Sequence, residues 1–325
     1  MRMIPFEKRG ISNSRIVLGC MSLGGGWNSD PLTQADYKKA EGAIDAALSS
    51  GITMFDHADI YTNGKAEIVF GQVLKTKPVL RENLVIQSKC GIRWGNDRTP
   101  GRFDFSKSHI LNSVDGILQR LGTEYLDILL LHRPDPLMEP EEVAEAFSLL
   151  KESGKVRHFG VSNMNAQQIR FLQQAMDMPL VANQMEMSLA RLDWLDQGIH
   201  VNQQAGLNVN FAEGLMEYAQ MENIQIQAYG SLAQGKFTKA PSDNDPDNVR
   251  KTAELVIRLA EEKGTSPEAI VLGWLMRHPA RIQPVIGTAN PERILACQDA
   301  VRQAELMSRD DWYALYVSSR GKDMP

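Results

Sequence analysis

The chain has 325 residues and a formal net charge of -5, with 43% hydrophobic and 23% charged residues, which is the composition of an ordinary globular protein. It carries no block of basic residues, so we expect no nucleic-acid partner, because binding phosphates requires a concentrated cationic surface. The longest apolar runs are too short to span a bilayer, which predicts no membrane partner. Three cysteines suit a reducing cytoplasm better than a disulfide framework, so we expect a cytoplasmic protein.

A predicted N-terminal β-hairpin within residues 1–15 is followed by a repeating pattern of short apolar strand, polar or glycine loop and amphipathic helix. The predicted strands cover residues 16–19, 52–55, 84–88, 125–131, 156–161, 180–183, 224–228 and 283–286. The predicted helices cover about 35–50, 66–74, 107–121, 140–151 and 166–175.

The predicted strands are continuous apolar runs, which is typical of parallel strands that are covered on both faces. About eight strand–helix units in a chain of this length predict an α/β fold, a single closed (β/α)₈ TIM barrel. An open doubly wound sheet favours a Gly-x-Gly-x-x-Gly turn after its first strand, and the turn over residues 19–26 lacks that spacing. Because no change in composition divides the chain, we predict one domain over residues 1–325.

Titratable and amide side chains stand at the ends of the predicted strands, and a barrel of this kind brings those ends together at one mouth. Each residue alone also fits a structural role, such as a buried ion pair, a core histidine or a helix cap. Their convergence at one mouth favours chemistry over those separate roles. The residues are Asp56, Tyr61, Lys89, His132, Ser162, Asn163, Gln184, Tyr229 and Thr288.

Taken in order, these motifs resemble those of the aldo-keto reductase family. The matching segments are Phe-Asp-His-Ala-Asp-Ile-Tyr at 55–61, Ser-Lys at 88–89, His-Arg-Pro-Asp at 132–135, Gly-Val-Ser-Asn at 160–163 and Asn-Gln at 183–184. The forms Asp-His-Ala-Asp-Ile-Tyr and His-Arg-Pro-Asp-Pro-Leu-Met are similar to those of the YdhF-type bacterial oxidoreductases. The resemblance covers nearly the whole chain.

The resemblance implies that the chain reduces aldehydes or ketones to alcohols by hydride transfer. It implies that Tyr61 is the proton donor and that a nearby Lys89 ammonium makes its proton easier to give. Asp56 then holds Lys89 by an ion pair, and His132 donates a hydrogen bond to the carbonyl oxygen of a small-molecule substrate.

The resemblance also implies NADPH as the cofactor, with NADH as a possible alternative. Ser162, Asn163 and Gln184 would hold the nicotinamide carboxamide, and Tyr229 would stack on the ring. Gly287 and Cys297 stand where many family members have lysine and asparagine, which leaves the 2′-phosphate to Thr288 and Arg293. The remaining residues implied to line the cofactor groove are Gly19, Cys20, Met21, Gly230, Ser231, Leu232, Gln234 and Gly235.

Two other functions fit the same residues. Lys89 could form a Schiff base in a barrel lyase or aldolase, or the chain could bind the nucleotide as a sensor without turnover. No His, Asp or Glu spacing resembles a metal site. The substrate is expected to be set by the loops at 24–31, 91–105 and 186–210, in which Trp27, Trp94 and Trp194 either line the pocket or anchor packing. The sequence indicates neither the substrate nor the oligomeric state.

Overall fold

The computed structural model describes residues 3–325 of the chain. Eight parallel strands form a closed barrel in the order β1-β10-β9-β8-β7-β6-β3-β2, and strands β4 and β5 form a separate antiparallel pair. In chain order the strands are β1 Val17–Gly19, β2 Met54–Asp56, β3 Val85–Cys90, β4 Ile92–Arg93, β5 Arg102–Phe103, β6 Leu126–Leu131, β7 Val156–Ser162, β8 Leu180–Glu186, β9 Gln225–Tyr229 and β10 Gln283–Ile286.

Helices surround the barrel. They are α1 Pro5–Lys8, α2 Gln34–Ser49, α3 Lys65–Thr76, α4 Leu80–Asn83, α5 Lys107–Leu121, α6 Pro140–Glu152, α7 Ala166–Gln174, α8 Asp193–Ile199, α9 Leu215–Met221, α10 Asp247–Glu262, α11 Pro267–Arg277, α12 Pro291–Leu295, α13 Ala300–Leu306 and α14 Arg309–Arg320. No helix within residues 3–325 has both the length and the apolar character that a membrane crossing requires.

The predicted (β/α)₈ barrel is confirmed, and its two apolar layers explain why the strands appear as continuous apolar runs. One large cluster lies between the strands and the helices. A smaller cluster fills the barrel interior and includes Val17, Met54, Ile128, Leu130 and Val285. Alternate side chains of a strand therefore enter different cores, and most positions on both faces are apolar.

The predicted N-terminal hairpin is wrong where the structure describes it; residues 1 and 2 lie outside the described range. Residues 5–8 form helix α1 instead, with Pro5 at its first position, which proline tolerates well. Ile4 and Phe6 are buried in the interior cluster, and the Lys8 ammonium donates to Asn223 Oδ1 at 2.9 Å, just before β9. The apolar residues of this segment therefore close the end of the barrel where the strands begin, rather than pairing as strands.

Two of the helices begin after a residue whose side chain caps the first turn. Ser106 accepts a hydrogen bond from the His109 amide at the start of α5, and Asn290 accepts one from the Arg293 amide at the start of α12, with Pro291 in the first turn. Such caps satisfy amides that have no partner within the helix. The sequence patterns did not predict α4, α8 to α11, α13 or α14.

Candidate active site

The Lys89 ammonium, buried at the end of β3, organises the site. It donates to Asp56 Oδ2 at 2.7 Å, to the His57 carbonyl oxygen at 2.9 Å and to the Tyr61 hydroxyl oxygen at 3.0 Å. An ammonium has three hydrogens to donate, so this set of acceptors uses all of them. The Tyr61 oxygen accepts from Lys89, and its own hydrogen therefore remains available to another group.

Lys89 stays charged because its partners outweigh its burial. Burial alone would lower the pKa of the Lys89 ammonium, but the Asp56 carboxylate and the Tyr61 oxygen raise it above its ordinary value. Both members of the Lys89–Asp56 ion pair have side chains no more than 2% exposed. Breaking one member of such a pair would leave the other charge uncompensated in the interior, so the pair holds both groups in place.

The Tyr61 phenol keeps its proton at neutral pH. Burial raises its pKa above the ordinary value, and the Lys89 charge opposes this without cancelling it. The net direction is opposite to the effect expected from Lys89 alone. A protonated phenol is the form that can donate a proton, and the Lys89 charge stabilises the phenolate that would form.

His132 follows β6 and lies beside Tyr61, with a distance of 6.0 Å between the ring centroids. Burial, Lys89 and Arg133 lower the pKa of His132 to about 2, so the imidazole is neutral at neutral pH. A neutral imidazole has one N–H to donate. Nδ1 is buried without a partner among the described residues.

His57 acts through its backbone, since its carbonyl oxygen accepts from Lys89. The ring is fully buried, packs edge-on against Phe70 at 4.6 Å between centroids, and has no partner for either nitrogen among the described residues. Burial lowers the pKa of His57 to about 3, which keeps the ring neutral.

Amide and hydroxyl groups at the C-terminal ends of β7, β8 and β9 form a connected set next to His132. The Asn163 side-chain amide donates to Ser162 Oγ at 2.8 Å, and Ser162 Oγ donates to the Gln184 carbonyl oxygen at 2.9 Å. The Tyr229 hydroxyl donates to Asn163 Oδ1 at 3.0 Å. Asn163 adopts a left-handed φ of 58°, which turns its amide toward these partners. The structure thus brings these predicted cofactor residues together.

The loop after β9 contains a run of left-handed residues. Gly230, Ala233, Gln234 and Gly235 have φ angles of 65°, 47°, 57° and 78°. Within the loop the Ala233 and Gly235 amides donate to the Gly230 and Leu232 carbonyl oxygens, each at 2.8 Å. Non-glycine residues adopt left-handed angles where the surroundings enforce them. Leu232 is half-buried beside them. Ser231 is buried, and its hydroxyl donates to the Val285 carbonyl oxygen at 3.0 Å, which ties the loop to β10.

The three predicted residues at the end of β1 and just after it lie in different environments. Gly19 lies against β10, where an added Cβ would meet Val285 Cγ1 at 3.1 Å. Cys20 is fully buried with its thiol on the Leu18 carbonyl, and burial raises the pKa of that thiol well above its ordinary value. Its side chain is therefore not on the surface of the groove. Met21 is 51% exposed.

Thr288 and Arg293 lie at the corner formed by β10 and α12. Thr288 Oγ1 accepts from the Asn290 amide at 3.1 Å, and Arg293 is exposed. The sequence patterns missed a further cation here: Lys39 of α2 donates to the Ser22 carbonyl oxygen at 3.2 Å, and the Ser22 hydroxyl donates to the Gly287 carbonyl oxygen at 3.1 Å. Its position on a predicted helix gave no signal, because the approach of α2 to β10 is tertiary.

The three loop tryptophans divide between the two roles expected for them. Trp27 packs edge-on against Tyr61 at 6.5 Å and against Trp94 at 6.2 Å, and both tryptophans are about half exposed. Trp194 is 3% exposed and packs against Trp274 and His278. Trp27 and Trp94 thus border the space above the phenol, whereas Trp194 anchors a helix.

A model of the Aldo/keto reductase family matches residues 15–313. The chain is 38% identical over 300 residues to the uncharacterized oxidoreductase YcsN of Bacillus subtilis, covering 90% of this chain and 93% of YcsN. It is 35% identical to a 6-dehydroglucose reductase of Agrobacterium fabrum, with 96% of each chain covered. It is 33% identical to the oxidoreductase YdhF of Escherichia coli, with 99% of each chain covered.

Solved structures of similar fold include an aldo-keto reductase from Klebsiella pneumoniae in complex with NADPH. Its TM-score with this chain is 0.71 at 24% sequence identity, over 93% of this chain and 89% of that one. At this level of identity the likeness establishes the shared barrel fold.

Proposed function

Because the chain belongs to the aldo-keto reductase family, as its motifs predicted, we propose that it reduces aldehydes or ketones to alcohols with NADPH and that Tyr61 donates the proton. The observation that carries this proposal is the set of three acceptors around the Lys89 ammonium. That set leaves the Tyr61 hydrogen available for a carbonyl oxygen.

Bound NADPH supplies a hydride to the carbonyl carbon. The Tyr61 hydroxyl gives its proton to the carbonyl oxygen, so that one hydride and one proton together convert the carbonyl to an alcohol. Lys89 stabilises the resulting phenolate by charge and hydrogen bond, and Asp56 keeps Lys89 oriented. The neutral His132 imidazole donates its N–H to the same carbonyl oxygen, where negative charge develops.

The proposed catalytic tetrad consists of Asp56, Tyr61, Lys89 and His132, and the residues beside it fit a nicotinamide dinucleotide. Ser162, Asn163 and Gln184 offer amide and hydroxyl groups to a carboxamide, and Tyr229 offers a ring held in place through Asn163. For the pyrophosphate we propose the left-handed loop at 230–235, which directly follows Tyr229 at the mouth of the barrel.

For the 2′-phosphate we propose Arg293 and Thr288, with Lys39 supplying the cation that many family members carry at position 287. Gly19, Cys20 and Met21 would edge the groove, with Cys20 contributing through its backbone because its side chain is buried. The NADPH complex of the Klebsiella structure supports this choice of cofactor. NADH is the alternative that a comparison of the two nucleotides would test.

For the substrate we propose a carbonyl compound that presents a ring to Trp27 and Trp94 beside Tyr61. Aromatic side chains at a pocket entrance stack against aryl or sugar rings. The relative named 6-dehydroglucose reductase supports including a sugar aldehyde in the substrate panel. An aryl aldehyde, a ketone and a straight-chain aldehyde complete the comparison.

The Schiff-base alternative finds less support. A lysine must be neutral to attack a carbonyl, yet the partners of Lys89 raise its pKa and occupy all three of its hydrogens. Treatment with borohydride in the presence of a carbonyl substrate should therefore leave no covalent adduct on Lys89. We also propose the cytoplasm as the location, because all three cysteines are buried and unpaired.

The variant Tyr61→Phe tests the proton donor, because it removes only the hydroxyl. We expect it to bind NADPH as the unaltered protein does, in a fluorescence titration, while its kcat for the best aldehyde of the panel falls by a factor of about 10² to 10⁴. Tyr313→Phe, at an exposed tyrosine of α14, is the matched control and should keep full activity. Turnover of Tyr61→Phe at the unaltered rate would exclude Tyr61 as the donor.

A further inference from the structure

Four glutamine side chains meet inside the barrel, below the tetrad. They are Gln87 of β3, Gln184 of β8, Gln227 of β9 and Gln283 of β10, and none is more than 2% exposed. Strands β3 and β9 stand four places apart in the closed ring of eight, so Gln87 and Gln227 reach toward each other from opposite walls. Buried amides are costly unless they are hydrogen-bonded, and these four bond chiefly to one another.

Gln227 is the junction of this cluster. Its Oε1 accepts from Gln87 Nε2 at 2.9 Å and from Gln184 Nε2 at 3.1 Å. Its Nε2 donates to Gln283 Oε1 at 3.0 Å. The strand register places Gln227 directly beside both Gln184 and Gln283.

The row of hydrogen-bonded glutamine amides ends on both sides at a group that can only accept hydrogen bonds. These two acceptors fix which way each amide between them is oriented. At one end Gln283 Nε2 donates to the Ser14 carbonyl oxygen at 2.6 Å. At the other end Gln87 Nε2 donates to Asp56 Oδ1 at 2.6 Å. Gln283 must therefore present its oxygen to Gln227, and Gln227 must present its oxygen to the other two glutamines.

The fixed orientation of these amides affects both the catalytic residues and the cofactor residues of the proposed active site. Gln87 uses both amide hydrogens on acceptors, one of them the Asp56 carboxylate, and its Oε1 is left buried without a partner among the described residues. Gln184 must direct its nitrogen to Gln227, which leaves its Oε1 as the acceptor that a nicotinamide carboxamide can use. An alternative arrangement in which Gln184 is flipped would set two oxygens against each other at Gln227.

We propose that Gln227 is a positioning residue that sets the orientation of the Gln184 amide for the nicotinamide carboxamide and, through Gln87, holds the Asp56 carboxylate that orients Lys89. The inference rests on the proposed function, because it takes Gln184 to hold the carboxamide. Apolar side chains could fill the same space without a buried unpaired oxygen, so simple packing does not account for the amides.

The first test compares Gln227→Met with Gln225→Met. Gln225 is equally buried on the same strand, but its Nε2 donates to the carbonyl oxygens of Ile226 and Arg281, away from the cluster. The readout is the ratio of the dissociation constants of 3-acetylpyridine-NADP⁺ and NADP⁺, measured by calorimetry. The analogue has a methyl group in place of the carboxamide nitrogen and gives Gln184 Oε1 no hydrogen to accept.

We expect the unaltered protein and Gln225→Met to favour NADP⁺ over the analogue by the same ratio, and Gln227→Met to lower that ratio about fivefold, the value of one hydrogen bond. General loss of stability would weaken both ligands equally and leave the ratio unchanged. If Gln227→Met does not fold, Gln283→Met is the alternative, because it removes the hydrogen-bond acceptor of Gln227 Nε2. It should also lower the ratio.

The second test separates this inference from the function on which it rests. Gln184→Leu should lower the ratio as Gln227→Met does. Gln87→Met should keep the ratio and lower kcat about tenfold, because it releases Asp56 while the bond from Gln227 to Gln283 still fixes the direction of Gln227. An unchanged ratio in Gln184→Leu would overturn both the carboxamide assignment and this inference. An unchanged ratio in Gln227→Met, beside a lowered one in Gln184→Leu, would overturn the positioning role alone.

Discussion

Two ionisable residues at the barrel mouth are buried, but only one of them has the partners that keep it charged. Lys89 donates to three acceptors and remains charged. Asp59, three residues after Asp56, has one carboxylate oxygen buried with no partner among the described residues. Burial, together with the nearby Glu67 carboxylate, raises the pKa of Asp59 from 3.8 to about 7, against the opposing effects of Arg120, Ser113 and the Ile60 amide.

We predict that Asp59→Asn stabilises the protein, and that the gain grows with pH. A carboxyl whose pKa is higher in the folded state costs stability once the unfolded chain ionises, so the cost rises from about pH 4 to about pH 7 and is constant above. The asparagine cannot ionise and removes that cost. We expect a gain in the free energy of unfolding of about 1–3 kcal/mol at pH 8 and a smaller one at pH 5, measured by urea denaturation.

Asp243→Asn is the control for this prediction, because Asp243 lies exposed in the loop before α10. It should change the free energy of unfolding by less than about 0.5 kcal/mol at either pH. A gain at Asp59 that is the same at pH 5 and pH 8 would mean that the asparagine acts through packing and not through the carboxyl charge.

At the scale of elements, the segment of helix α1 shows that an apolar pattern can identify buried residues correctly and still predict the wrong secondary structure. Ile4 and Phe6 alternate as in a strand, and the glycine at position 10 resembles a hairpin turn, but Pro5 between them starts a helix. The sequence identifies these residues as buried without indicating what covers them. The covering surface is the open end of the barrel, which forms only when all eight strands have closed.

We predict that Phe6→Ala lowers the free energy of unfolding by about 3–5 kcal/mol, because it opens a cavity in the interior cluster. Phe6 is 0% exposed, whereas Phe171 of α7 is 55% exposed, so Phe171→Ala is the matched control and should cost far less. Urea denaturation of both variants measures the difference. Equal costs at the two positions would show that α1 does not close the barrel.

Helix α2 supplies the clearest case of a contact between elements that the sequence could not reveal. Lys39 reaches the Ser22 carbonyl oxygen, and Ser22 in turn bonds to Gly287 after β10. We predict that Lys39→Met raises the KM for NADPH about fivefold and changes the KM for NADH by less than about twofold, because only NADPH carries a 2′-phosphate for the ammonium to bind.

Lys38→Met is the control, since Lys38 is the adjacent exposed lysine of the same helix. It should leave both KM values within about twofold of those of the unaltered protein. An equal rise in the two KM values for Lys39→Met would place the ammonium near the pyrophosphate or adenine, and would refute its role at the 2′-phosphate.

At the scale of the whole molecule, the sequence was most informative for strands that are apolar on both faces. It was least informative for strands that also place polar side chains inside the barrel. All eight barrel strands were predicted, because strands such as Leu126–Leu131 are apolar on both faces apart from Asp127. Gln227 and Gln283 appear in the sequence only as polar interruptions of apolar strands, because their contacts with each other and with Gln87 across the barrel exist only in the closed barrel. Cys20 was expected beside the groove, but its thiol lies in the core. That the chain is one domain stays a prediction.

The proposed cofactor groups come from the ends of β1, β7, β8, β9 and β10, and they are neighbours only in the closed barrel. NADPH should therefore bind the folded chain and not the unfolded one. At a concentration 100 times its dissociation constant we expect it to raise the free energy of unfolding by about 2.7 kcal/mol. For a chain of this length that corresponds to an increase in Tm of about 4 °C in scanning calorimetry.

The increase in Tm should be smaller in Arg293→Ala at the same NADPH concentration, because the 2′-phosphate loses a partner. The control is Arg258→Ala, at an exposed arginine of α10, and its Tm increase should match that of the unaltered protein. A Tm that does not change while a fluorescence titration reports saturation would mean that the observed binding does not require the barrel mouth.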